Sequence, residues 1–124
     1  MDSKLADIGQ IAITVENIDT ALPFYRDVLG LAFLFRPAPT LAFLAAGTVR
    51  IMLSTPQGAG TVGGNPVLYF KVNDIEMAYA AIVKRGATEA DAPHLIAKMP
   101  DHDLWMAFVR DPDGNLVGMM EEKR

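Results

Sequence analysis

The stretch IGQIAITVENIDTALPFYRDVLG, Ile8 to Gly30, decides the fold. Its first half alternates: Ile11, Ile13 and Val15 interleave with Gln10, Ala12 and Thr14. A period of two is the mark of a strand with one buried apolar face, here Ile8 to Val15. Its second half changes period. Ile18, Ala21, Leu22, Tyr25, Val28 and Leu29 recur at helical spacing and form one apolar stripe. Gly30 closes the helix as a residue free to adopt positive φ. Pro23 removes a backbone donor, and is accommodated if Thr20 is the N-cap so that the proline falls in the first turn.

Three further strands follow, at Leu31 to Arg36, Thr40 to Ala46 and Thr48 to Thr55. Pro37 and Pro39 separate the first from the second, and Gly47 marks a tight turn before the third. The order is β-α-β-β-β. A glycine-rich segment with few bulky groups, residues 56–65, then reads as a linker. Beyond it the order repeats. Val67 to Val72 is a strand, and Asp74 caps a helix carrying Ile75, Ala78, Tyr79, Ile82 and Val83 on one side. Gly86 ends that helix. Strands at Ala92 to Met99, His102 to Arg110 and Asn115 to Glu121 complete the set. Asp111-Pro-Asp-Gly-Asn115 has hairpin-turn composition. At an offset of 57 residues Val15-Glu-Asn-Ile-Asp19 lies over Val72-Asn-Asp-Ile-Glu76 and Ala21 over Ala78, which points to duplication of one unit. The expected architecture is α+β: two β-α-β-β-β units, residues 6–55 and 66–122, forming a curved half-open barrel around a concave pocket in one domain of 1–124.

The bulk properties narrow the function classes. The 124 residues are 51% apolar, enough to bury a core. Eleven basic against 15 acidic residues leave a net charge of −4, which argues against sequence-independent binding of nucleic acid. There is no cysteine, so disulfides and thiolate metal sites are excluded. No apolar run reaches the roughly 18 to 20 residues that span a bilayer. Residues 1–5 lack the pattern of a signal peptide. The expectation is a cytoplasmic protein with no membrane partner.

The Ile8 to Gly30 segment resembles the opening of glyoxalase and bleomycin-resistance domains, a strand followed by a helix with Phe24-Tyr25 and a terminal Leu29-Gly30. Phe108-Val-Arg-Asp-Pro-Asp-Gly-Asn115 resembles the hairpin that closes the same domains. The chain is thereby identified as similar to the vicinal oxygen chelate superfamily of glyoxalases, bleomycin-resistance proteins and extradiol dioxygenases. The resemblance implies a concave pocket with helices outside, a homodimer and, in the enzymes, one divalent metal held by four side chains, two from each unit. Those positions fall at Gln10, Met52, Val67 and Gly118. Only Gln10 offers a hard donor atom. A thioether is a poor partner for a cation in an oxygen and nitrogen site, and valine and glycine supply nothing. A catalytic divalent ion needs about three protein ligands. No cofactor is therefore predicted.

The reading that follows is a metal-independent small-molecule-binding protein, its ligand lined by Gln10, Arg50, Met52, Val67, Tyr69, Trp105 and Gly118. Arg50, with Lys71, is suited to a carboxylate or phosphate, or else is a solvated rim charge. The rival is a lyase, isomerase or dioxygenase-type enzyme. It would use His94 or His102 as a base, or a rearranged divalent-metal site built from them with Asp101 or Asp103. A polar turn carrying two partly exposed histidines explains the same residues.

Overall fold

The computed structural model describes residues 5, 7–56 and 61–124. Residues 57–60 of the 56–65 linker lie outside the described residues, as do residues 1–4 and 6. The first unit contains β1 (Gln10–Thr14), α1 (Ile18–Pro23) continuing into a π-helical turn (Phe24–Val28), β2 (Ala32–Ala38), β3 (Leu41–Ala46) and β4 (Val49–Ser54). The second contains β5 (Leu68–Lys71), α2 (Ile75–Lys84), β6 (Thr88–Lys98), β7 (Asp103–Arg110) and β8 (Leu116–Lys123). Each unit makes a four-stranded mixed sheet, ordered β1-β4-β3-β2 and β5-β8-β7-β6. In both, the first strand lies parallel to the last, and the remaining pairs are antiparallel.

Alternation explains which residues each sheet turns toward its helix. Ile13, Ala42, Leu44, Ile51 and Leu53 are buried on one side of the first sheet, with Ile18, Ala21, Leu22 and Tyr25 of the helical segment. Ala107, Val109, Val117 and Met119 play the same part in the second sheet, with Ile75, Tyr79 and Ile82 of α2. These residues form one continuous core cluster.

The helix start differs from expectation. Asn17, not Thr20, is the N-cap: its Oδ1 accepts from the Asp19 backbone N at 2.7 Å. Thr20 therefore sits inside the helix, and Pro23 is its last α-helical residue rather than part of its first turn. The chain absorbs the proline's missing donor by widening. The next turn closes through Leu29 N to Phe24 O at 2.9 Å, a five-residue step, before Gly30 reverses the chain at φ 86°. Two strand boundaries are also corrected. β2 runs through Pro37 to Ala38 instead of breaking there; a register shift between Phe35 and Ala38 accommodates the residue that cannot donate. β6 starts at Thr88, four residues before Ala92. Its irregular pairing with β7 hides the alternation that would have revealed it. The cap on α2 is as read: the Asp74 side chain accepts from Met77 N at 3.1 Å.

A buried polar knot ties the two units. The Tyr25 hydroxyl donates to Asp111 Oδ2 at 2.7 Å, across 86 residues of chain. Asp111 also accepts from Asp113 N, Asn115 N and Asn115 Nδ2 at 2.8–2.9 Å, so its carboxylate organises the hairpin turn as well. Asn65, at the end of the linker, mimics a strand neighbour. It takes the Thr14 backbone N on its oxygen and gives its Nδ2 to Thr14 O and to Asn115 Oδ1. Arg85 Nε reaches Val28 O at 2.8 Å.

Candidate ligand-binding site

The same alternation that buries Ile51 and Leu53 directs Arg50 and Met52 to the face turned away from the helices. Strand register places two rows side by side on that face. One runs Gln10, Arg50, Ala45, Ala32, and the other Ala12, Met52, Phe43, Phe35. The side chains are interlocked. Arg50 Nε donates to Gln10 Oε1 at 2.7 Å, and Gln10 Nε2 points at Met52 Sδ at 3.7 Å. The Arg50 guanidinium lies over the Phe43 ring, 5.1 Å from its centroid, and Phe43 stacks on Phe35 at 4.7 Å. Small Ala45, opposite Arg50 in the register, leaves room for the guanidinium to lie across the sheet. Sequence reading singled out Gln10, Arg50 and Met52 but missed Phe43 and Phe35. Their alternation was visible; their registry with Met52 was not.

The second sheet turns Tyr69, Gly118 and Phe108 to its own helix-free face, where they are consecutive across β5, β8 and β7. The Tyr69 ring meets Phe108 edge-on at 5.7 Å and covers Gly118 so closely that a Cβ there would lie 2.8 Å from the ring. Met106 and Met120 pair with each other further along this face, and His94 pairs with Met106. Trp105 stands on the opposite side of β7. It shares a face with fully buried Ala107 and Val109, packs on the core, and carries the Lys123 ammonium 4.2 Å above its ring. It therefore does not belong to the face that holds Tyr69.

The histidines do not converge. His94 pairs with Met106 within the ladder, whereas His102 lies in the turn, with its carbonyl accepting from Met99 N. His94 Nδ1 is 2.8 Å from Ala92 O, and its Nε2 is 3.7 Å from Asp91. The His102 ring, 11% exposed, is flanked by carboxylates on both nitrogens: Asp101 at 2.7 Å from Nδ1 and Glu122 at 4.0 Å from Nε2. The His102 hydrogen bond, helped by Arg124, holds the Asp101 carboxyl below its usual range.

A groove of about 770 Å³ opens between the units. Its walls come from Gly30 to Ala32 and Ala45 to Val49 of the first unit and from Val67 to Lys71 of the second. Val67 and Tyr69 line it; Gln10, Arg50, Met52, Gly118 and both histidines do not. Val67 itself lies just before β5. Among the described residues no hydrogen bond joins the Gln10 set to the Tyr69 set.

Residues 7–119 match the family described as the Glyoxalase/Bleomycin resistance protein/Dioxygenase superfamily. The chain belongs to that superfamily. None of the curated proteins matches the sequence. Solved structures share the superfamily fold at low identity. A lactoylglutathione lyase from Agrobacterium tumefaciens is 23% identical with a TM-score of 0.77, covering 95% of each chain. An integron cassette protein from the mobile metagenome of V. Cholerae is 24% identical with a TM-score of 0.79, covering 98% of each. An antibiotic-binding protein from a Streptomyces species is 18% identical with a TM-score of 0.79, covering 98% of this chain and all of the other.

The superfamily's internal repeat is exact in register. Ala12 pairs with Met52 in the first unit as Tyr69 pairs with Gly118 in the second, so Met52 and Gly118 are equivalent positions. The residues at the four positions implied by the family do not fit a divalent ion. The Gln10 oxygen already accepts from a guanidinium, whose positive charge repels a second cation. Met52 is a thioether, Val67 is an alkyl group, and Gly118 lies beneath the Tyr69 ring. Among the described residues, three ligand-type atoms come within 4.8 Å only at Asp74, Glu76 and Glu121. There Glu121 accepts from Ile75 N and Glu76 from Lys123, at the start of α2 and remote from these positions in the register.

Proposed function

We propose that this chain is a metal-independent small-molecule-binding member of its superfamily. The observation that carries the reading is the Arg50–Gln10 contact at 2.7 Å. It commits the single hard donor among the four family positions to a cation of the protein's own. The second support is Tyr69 over Gly118, which covers the counterpart of Met52 in the second unit with an aromatic ring. What remains is apolar and aromatic area with a few oriented polar groups, the composition of a small-molecule site. The antibiotic-binding relative of the same fold accords with this reading.

The acting form is proposed to be a homodimer. The helix-free faces are open in one chain, with Phe35 on the first sheet and Tyr69 on the second each 46% exposed. Apolar area of that kind on two sheets is usually covered by a partner. The His102 Nδ1 is engaged by Asp101 at 2.7 Å, and its Nε2 lies 4.0 Å from Glu122, beyond hydrogen-bond distance.

Metal analysis of protein purified without chelator tests the proposal, with Gln10→Ala and His102→Ala beside the wild type. Well under one equivalent of Zn, Fe, Mn or Ni is expected in all three. A full equivalent in the wild type, lost in either variant, overturns it. Light scattering tests the dimer, and a monomer throughout the micromolar range would refute that part.

A further inference from the structure

Arg50 is placed differently from the arginines that form ion pairs. Arg26, Arg36 and Arg124 each have a carboxylate within 4.0 Å; Arg50 has none among the described residues. Its Nε is bound to a neutral amide oxygen, and its plane rests on an aromatic ring. Both contacts orient the guanidinium without neutralising it, and neither uses its two terminal nitrogens. The rows around it contain amide, alanine, methionine and phenylalanine, with no acidic group, in a protein whose net charge is −4. A planar fork held in advance is suited to bidentate recognition of a carboxylate, since little side-chain freedom is lost on binding. Beside it, Ala12, Met52, Phe43 and Phe35 form a continuous apolar strip across four strands, with Phe35 46% exposed at its far end.

We infer that the helix-free face of the first sheet seats a planar aromatic monocarboxylate. Its carboxylate pairs with the terminal nitrogens of Arg50, and its ring lies along the Met52–Phe43–Phe35 strip. This names the ligand class for the binding site proposed above and rests on that reading. Gln10 acts as a positioning residue: its amide holds the fork, with the amide nitrogen turned to the methionine sulfur. Neutral analogues of the same shape keep the ring contacts and lose the ion pair. Cationic analogues meet repulsion.

Three matched probes decide the matter: 2-naphthoate, 2-naphthamide and 2-naphthylmethylamine. They are titrated calorimetrically into the wild type, Arg50→Gln and the surface control Lys84→Gln. The acid is expected to bind at least about tenfold more tightly than the amide, and more weakly as salt is raised. Arg50→Gln should remove that preference while leaving the amide's affinity unchanged, and Lys84→Gln should change nothing. Methyl signals of Met52 should shift with the acid. Equal binding of acid and amide, or preference retained in Arg50→Gln, overturns the anion inference and leaves the small-molecule reading standing. Failure of all three probes to bind at up to about millimolar concentration overturns the inference and counts against the broader reading too.

Discussion

Replacing Tyr25 with phenylalanine removes one oxygen atom and tests whether the two units are held together by the buried knot. The ring is 1% exposed and meets Phe24 edge-on at 5.2 Å, contacts that phenylalanine preserves. What disappears is the 2.7 Å hydrogen bond to Asp111, which is itself 4% exposed. A hydrogen bond to a charged, buried acceptor contributes about 1.5–3 kcal/mol. Three donors to Asp111 survive the substitution, so the carboxylate is not abandoned and the cost belongs near the middle of that span, about 2 kcal/mol. For a chain of this length that lowers the melting temperature by roughly 6–10 °C. Urea unfolding at one fixed protein concentration reads it, using the fluorescence of Trp105, the sole tryptophan, together with far-ultraviolet dichroism. Both signals should move together, because the bond joins the halves. Asp111→Ala should cost clearly more, since it strips the acceptor from all four donors. A loss below about 0.5 kcal/mol in Tyr25→Phe, or an equal loss in the two variants, would refute the reasoning.

Alkaline unfolding follows from the same knot. Burial, with the Asp111 carboxylate beside it, pushes the Tyr25 phenol far above its ordinary value of 10.0. The unfolded chain releases that proton above about pH 10 while the folded chain keeps it, so the contribution is complete below that pH. It declines above it by up to ~1.4 kcal/mol per pH unit. Urea midpoints between about pH 9 and 11 should show this decline in the wild type and a shallower one in Tyr25→Phe. Parallel curves would sink the explanation. Gly118→Ala forces a Cβ to within 2.8 Å of the Tyr69 ring and should cost about 1–3 kcal/mol. The same change in a Tyr69→Ala background should cost much less, and additive losses in the double variant would show that the ring is not the obstacle.

Much of this arrangement could be read from residue order, and the failures share a cause. Ile11, Ile13, Ile51 and Leu53 announce their faces because β1 and β4 are regular, and the same regularity put Gln10, Arg50 and Met52 on one side. The Asp111–Asn115 turn and the Asp74 cap depend on contacts within five residues, which local chemistry determines. Thr20 lost to Asn17 because a wide helical turn can accommodate a proline, an option that helix periodicity does not reveal. Residues 88–91 escaped notice because bulged pairing scrambles alternation. Trp105 was set beside the pocket residues, although spacing of two from Ala107 and Val109 assigns it to the core side. The Phe43–Arg50 stack, the Tyr25–Asp111 bond and the groove between Val49 and Val67 all depend on partners brought together from distant parts of the chain.

The placement of β8 bears on how the molecule is made. It is laid between β5 and β7, so the strand of the second sheet that is synthesised after the other three is an interior one. Until Leu116–Lys123 has been made, β5 lacks its partner in the second sheet, and β7 keeps an edge of unpaired backbone N–H and C=O groups. The second sheet can therefore be completed only once β8 has been made. Loss of residues 116–123 alone would leave the second sheet with its middle missing, and a chain that quality-control proteases should recognise as unfinished.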